Sequence, residues 1–188
     1  MSSGDLIFAF FPCIYFTNSS NPLEFSLITH KELPIKDRIK KIINRAKNRE
    51  HFYELLLKLC YIVYCDNLKL IIENPWSSDT SYLKHNFLEE PKIIDTNRML
   101  RGDYFVKPTA YWFINCEPTH GLTQQNDKKQ KRVRSLPGAK GDGLCSEERS
   151  MISPDYARNF ICDFILGKYQ PEINGNTLFS PQELGYES

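Results

Sequence analysis

Two apolar runs, each closed by a proline and separated by a stretch of helical periodicity, constrain this chain more than any other feature. The first runs from Asp5 through Leu-Ile-Phe-Ala-Phe-Phe to Pro12 and Cys13. It is rich in β-formers and does not alternate, which predicts a strand buried on both faces in the middle of an α/β sheet. The second, Leu68-Lys-Leu-Ile-Ile-Glu73-Asn74-Pro75, predicts a short buried strand with Glu73 and Asn74 at its tip. Between them Ile39, Ile42, Ile43, Ala46, Leu55, Leu56, Leu59 and Ile62 recur at three and four residues, with Lys and Arg on the other face. That spacing predicts a helix from about Ile35 to Cys65, with room for a break near Asn48 and a turn at Asn67. Strand, helix and strand make a βαβ unit, which implies a parallel pair and a right-handed crossover, and the expected fold is an α/β domain with a small, mainly parallel sheet. Ligands of such sheets collect at the carboxyl ends of the strands, where Cys13 and Glu73 sit.

The remainder divides by composition. Residues 17–34 read as an irregular excursion, residues 76–103 carry no firm pattern beyond Ile93-Ile94, and Tyr111-Trp-Phe-Ile114 predicts a third strand introduced by Lys107-Pro108-Thr109. From 117 to 150 the chain is polar and lysine-rich, with Lys128, Lys129, Lys131, Arg132 and Arg134 crowded together, as in a long loop. Ser153-Pro154-Asp155 has the cap, first-turn proline and acidic order of a helix start, and Gly167 follows its apolar face. The expected organisation is a core over 1–116, a basic loop over 117–150, a docking helix over 151–168 and a tail over 169–188.

Charge and cysteine usage exclude several classes. Lys+Arg 24 against Asp+Glu 23 leaves a net charge of +1, so contact with nucleic acid must come from a local patch. No apolar run approaches the roughly 20 residues of a membrane helix. The apolar start lacks a basic leader and a small-residue cleavage site, which predicts a cytoplasmic chain with no membrane partner. Cysteines at 13, 60, 65, 116, 145 and 162 form no CxxC pair, and the four histidines lie in no ligand spacing, so reduced thiols and no metal are expected.

Pro12-Cys13 after one buried strand and Glu73-Asn74 after the next resemble the nucleophile and acid motifs of DNA cytosine-5 methyltransferases, in a divergent phage or mobile-element branch. Lys107-Pro-Thr-Ala-Tyr-Trp-Phe-Ile-Asn115 and Arg149-Ser-Met-Ile-Ser-Pro-Asp-Tyr-Ala-Arg158 add to the likeness. The resemblance implies a partial Rossmann-like methyltransferase fold and transfer of a methyl group from S-adenosylmethionine to carbon 5 of cytosine in DNA. It makes Cys13 the thiol nucleophile that adds to carbon 6, Glu73 the acid at ring nitrogen 3, and Asn74 the residue that fixes the strand-end geometry. A target base must leave the duplex to reach the thiol, and Trp76 and Tyr15 are candidates for the wall of its pocket. The competing reading of Cys13 is a small buried hydrophobe.

Gln130-Lys-Arg132-Val-Arg134 matches the family's Gln-x-Arg-x-Arg motif in letters, whereas Lys107-Pro-Thr matches it in position. Pro12, Trp76, Lys107, Arg132 and Arg134 are therefore the candidate substrate contacts, with a solvated charge run as the rival reading of the two arginines. The family's glycine-bearing turn for S-adenosylmethionine does not precede Asp5, and Gly138-Ala-Lys-Gly141-Asp-Gly143 follows no predicted strand. Three arrangements fit: a fragment, a half-enzyme completed by a second chain that supplies the cofactor-binding part, or a non-catalytic DNA-binding or interaction protein that keeps the fold.

Overall fold

The computed structural model describes residues 5–16, 32–77, 81–121 and 151–168. They fall into two compact units, Met1–Thr96 with Lys107–Glu117, and Asn97–Val106 with Pro118–Ser188. Residues 122–150 and 169–188, and with them most of the expected basic loop and all of the tail, lie outside the described residues.

The first unit is an α/β sheet structure. In chain order it contains β1 (Leu6–Phe10), a 3-10 turn (Cys13–Tyr15), α1 (Ile35–Cys65), β2 (Lys69–Pro75), α2 (Tyr82–Asn86), β3 (Ile93–Asp95) and β4 (Thr109–Ile114). The sheet order is β1-β2-β4-β3. β1 and β2 run parallel from Leu6 level with Lys69 to Phe10 level with Glu73, joined by α1 as the sequence predicts. α1 is unbroken at Asn48, and its end is fixed by Asn67, whose φ of 50° is the left-handed conformation that closes helices. Asn115 reinforces this corner, donating from Nδ2 to the carbonyls of Val63 at 3.0 Å and Leu68 at 2.9 Å.

Two expectations are corrected. The sheet is mixed, because β4 inserts in reverse between β2 and β3 and pairs antiparallel with both. Three of the four strands share a direction, yet only β1 and β2 are parallel neighbours. Parallel neighbours need a long crossover, and α1 supplies one, whereas between β2 and β3 the only described helix is the five-residue α2. The second correction concerns β1, which is an edge strand among the described residues and pairs with β2 alone. Ala9 is buried but Phe10 is 55% exposed. The strands buried on both faces are β2, as the sequence predicts, with Leu70 to Asn74 inside, and β4, all six of whose residues are inside.

Alternation along the strands separates two faces. Ala9, Leu70, Ile72, Ala110, Trp112 and Ile114 meet Leu56, Cys60 and Val63 of α1 in the core, together with Phe16 and Leu83. Phe8, Ile71, Glu73, Tyr111 and Phe113 are turned to the opposite face by the same register.

The second unit joins a 3-10 turn, Arg98–Arg101, to α3 (Pro154–Phe164). Arg98 is fully buried, pairs with Asp103 at 2.5 Å and lies 4.1 Å from the ring centre of Tyr156. Arg101 pairs with Asp163 at 3.1 Å, and its carbonyl accepts a hydrogen bond from Asn159 Nδ2 at 2.9 Å. The proline and Asp155 occupy the first turn of α3 as expected, but Ser153 does not cap it with its side chain. Its hydroxyl instead donates to the carbonyl of Gly102 at 3.0 Å.

Candidate functional site

The site is built at one rim of the sheet in the first unit. β1 stops at Phe10, two residues before Pro12, and β2 runs to Pro75, and neither proline has an N–H to offer a ladder. Beyond Pro12 the chain folds into the 3-10 turn, with the N–H of Tyr15 donating to the Pro12 carbonyl at 3.1 Å and that of Phe16 to the Cys13 carbonyl at 3.1 Å. Phe16, fully buried, stacks on Tyr82 at 6.0 Å and anchors the turn. Cys13 is left half-buried at its start.

Glu73 is level with Phe10 on one side and Tyr111 on the other, only 6% exposed. Cys13 lies three residues beyond Phe10, so the two motifs close adjacent strands about 4.8 Å apart at the same end of the sheet. Asn74 follows Glu73 and by strand alternation turns to the α1 face, level with Ala110. It is fully buried, and among the described residues neither Oδ1 nor Nδ2 has a hydrogen-bond partner. An orphaned buried amide costs about 1–3 kcal/mol.

Because β4 runs in reverse, it brings its amino end to this rim. Thr109 is level with Pro75 and with Asp95, and Lys107 precedes it in a left-handed conformation, φ 25°. Thr109 Oγ1 donates to the Lys107 carbonyl at 2.9 Å, and the N–H of Trp76 donates to the Pro108 carbonyl at 2.8 Å. Pro12, Cys13, Glu73, Asn74, Trp76 and Lys107 therefore share one rim, whereas Arg132 and Arg134 lie outside the described residues.

The aromatic candidates are engaged with the body of the unit. Trp76 lies 6.5 Å from Trp112 with the Lys84 ammonium 5.8 Å from its ring centre. Tyr15 stacks on Phe52 of α1 at 5.2 Å, its hydroxyl accepts from Asn48 Nδ2 at 3.2 Å, and its carbonyl accepts from Arg49 Nε at 2.6 Å. Tyr15 thus pins the cysteine turn to α1. The sequence reading missed Asp95, a second buried carboxylate at the rim and on the same face as Glu73. The two Cα atoms are separated by about 12 Å, with β4 between them. The acid that closes Ile93-Ile94 was its only signal.

The thiols differ in environment. Burial pushes the Cys60 thiol up to about 11, helped by the negative charge of Glu89, and burial also raises Cys116 and Cys162. All five described cysteines are free thiols. Among the described residues no group of three or more His, Cys, Asp or Glu is placed to hold a metal ion, and no helix is long and apolar enough to cross a membrane.

S-adenosylmethionine, which the resemblance implies, finds no seat among these residues. Nucleotide-like cofactors are commonly held at a glycine turn after a strand, where backbone can approach them closely. The described glycines are Gly102, Gly121 and Gly167, all in the second unit, and none follows a strand. No family model, no curated protein and no solved structure matches the chain.

Proposed function

We propose that this chain works on cytosine in DNA as a cytosine-5 methyltransferase-like protein, with Cys13 as nucleophile and Glu73 as acid. One observation carries the reading: a half-buried thiol and a buried carboxyl close two adjacent parallel strands, at the rim where such sheets hold ligands. Carbon 5 of cytosine is a poor nucleophile, and addition of a thiolate to carbon 6 makes it reactive. A carboxyl group at ring nitrogen 3 stabilises the charge that this addition places on the ring. Glu73, shielded from water between Phe10 and Tyr111, has the surroundings in which such a hydrogen bond is strong. Lys107 and Trp76 stand at the same rim for contact with the target strand. The methyl donor of the reaction is S-adenosylmethionine, and the chemistry that this chain's own residues support stops at the activated base.

Since no described glycine forms a turn directly after a strand, a second reading stands beside it, a non-catalytic or half-enzyme DNA-binding or interaction protein that keeps the fold. Duplex DNA carrying 5-fluorocytosine, offered with S-adenosylmethionine, separates the two. The enzyme reading expects a denaturation-resistant adduct on the peptide containing Cys13, lost in Cys13→Ser. DNA binding that is equal in both proteins, with an adduct in neither, leaves the second reading.

A further inference from the structure

The two halves of α1 have different surroundings. Its buried residues, Leu56, Cys60 and Val63, all lie in the second half and pack into the core of the first unit. In the first half one side is engaged with nearby chain. Arg38 Nε donates to the Leu33 carbonyl at 3.1 Å, Arg49 Nε to the Tyr15 carbonyl at 2.6 Å, and the Arg49 guanidinium lies 5.1 Å from the ring centre of Tyr82. The next face round the helix carries Ile35, Ile39 and Ile43, which are 61%, 47% and 48% exposed. At four-residue spacing they form a line about 12 Å long, bordered by half-buried Ile42 and exposed Ala46 and ended by Glu50.

The cations beside this line are exposed too. Lys36, Lys40 and Lys47 fall between about 60° and 100° round the axis from Ile39, along one flank of the isoleucines. Asp37 stands on the far side of the helix, 3.9 Å from the Lys40 ammonium. An apolar strip flanked by lysines selects among partners. A second copy of the chain would set cations against cations, since residues 36–50 hold seven Lys and Arg against Asp37 and Glu50. A phosphodiester backbone offers nothing to isoleucine. An anionic bilayer offers acyl chains to the strip and negative headgroups at the depth that lysine stems reach.

We propose that residues 35–47 of α1 form an interfacial helix, which lays Ile35, Ile39 and Ile43 into the headgroup boundary of an anionic membrane and sets Lys36, Lys40 and Lys47 on the lipid charges. Such a helix lies in the plane of the surface and needs neither the length nor the continuous apolarity of a spanning one, so the lack of a spanning run does not bear on it. The proposal does not rest on the reading of the rim as a cytosine site.

The full chain is sedimented with vesicles of phosphatidylcholine alone and with vesicles containing about 30% phosphatidylserine, at about 100 mM salt. I39S/I43S, K36Q/K47Q, K36R/K47R and I62S are compared with the wild type, Ile62 being an exposed isoleucine of α1 outside the line. Wild type, K36R/K47R and I62S should bind the anionic vesicles and not the neutral ones. K36Q/K47Q should bind roughly fivefold more weakly for each lysine removed, and I39S/I43S about tenfold more weakly or worse. All five proteins should share one thermal midpoint, because every substituted side chain is exposed. Wild-type protein that binds neither vesicle, or both alike, overturns the proposal, as does an equal loss in I62S and I39S/I43S. Self-association of the wild type without lipid, abolished in I39S/I43S, overturns it in favour of a second copy on the strip.

Discussion

Cys13 differs from the other described cysteines in where it sits rather than in what surrounds it in sequence. It is half-buried at the start of a turn, whereas Cys60 and Cys162 are inside, and burial raises the thiols of Cys60, Cys116 and Cys162. Alkylation proceeds through the thiolate and needs access. Brief treatment with iodoacetamide at pH 8, read peptide by peptide, should therefore modify Cys13 and the exposed Cys65 first. Cys60 should stay unmodified until the pH approaches its value of about 11 or the protein unfolds. Labelling of Cys60 alongside Cys13 at pH 8 would contradict the packing of α1 on the sheet. At this scale the sequence was most legible where a residue type has one backbone meaning. Pro12 and Pro75 stand where their strands finish and Asn67 turns the chain, each for a reason contained in the residue itself. Asn74 was not legible, because whether a buried amide finds a partner depends on atoms from distant parts of the chain.

Among elements, α1 and the parallel pair it joins follow from periodicity and run length, which are local properties. Strand order does not. β4 reads in sequence as another short apolar run, and nothing in Thr109–Ile114 records that it lies between β2 and β3 in the opposite sense. The edge position of β1 was hidden for the same reason, since an apolar run has the same letters at an edge as in a centre. The 3-10 turn at Arg98–Arg101 was the least legible element, being held by a buried ion pair rather than by an apolar pattern. That pair is open to a direct test. Arg98→Met leaves the Asp103 carboxylate buried without its cation and should cost about 3–5 kcal/mol, read as a fall in the denaturation midpoint. Arg98→Met with Asp103→Leu removes both charges and should recover most of the loss. A double variant as weak as the single one would mean that shape, not charge, holds the turn.

Over the whole molecule, the near balance of charge conceals an uneven distribution, with an excess of five positive charges in residues 36–50 offset elsewhere. The same unevenness appears in its response to alkali. Burial pushes Cys60 up to about 11, and burial with the hydrogen bond to Glu89 pushes Tyr64 up to about 12. Both groups become charged on losing a proton, so the unfolded chain releases these protons near pH 9 and 10 while the folded chain holds them longer. Their contribution is complete below about pH 9 and is lost as the pH rises to 12. The thermal midpoint should fall across that interval, and the fall should be shallower in Glu89→Gln, which lacks the charge that raises both groups. Identical profiles for the two proteins would exclude Glu89 from the effect.

The chain contains two tryptophans, and both belong to one aromatic cluster, Trp112 sealed in the core with its indole N–H on the Glu89 carbonyl and Trp76 one residue past the end of β2. Their ring centres are 6.5 Å apart, and Trp76 stands three positions from Glu73. All of the protein's indole emission therefore originates beside the rim. Whatever occupies that rim, whether base, nucleotide or strand, changes the solvent around Trp76 while Trp112 serves as an internal standard, so the unlabelled protein carries its own optical gauge of occupancy.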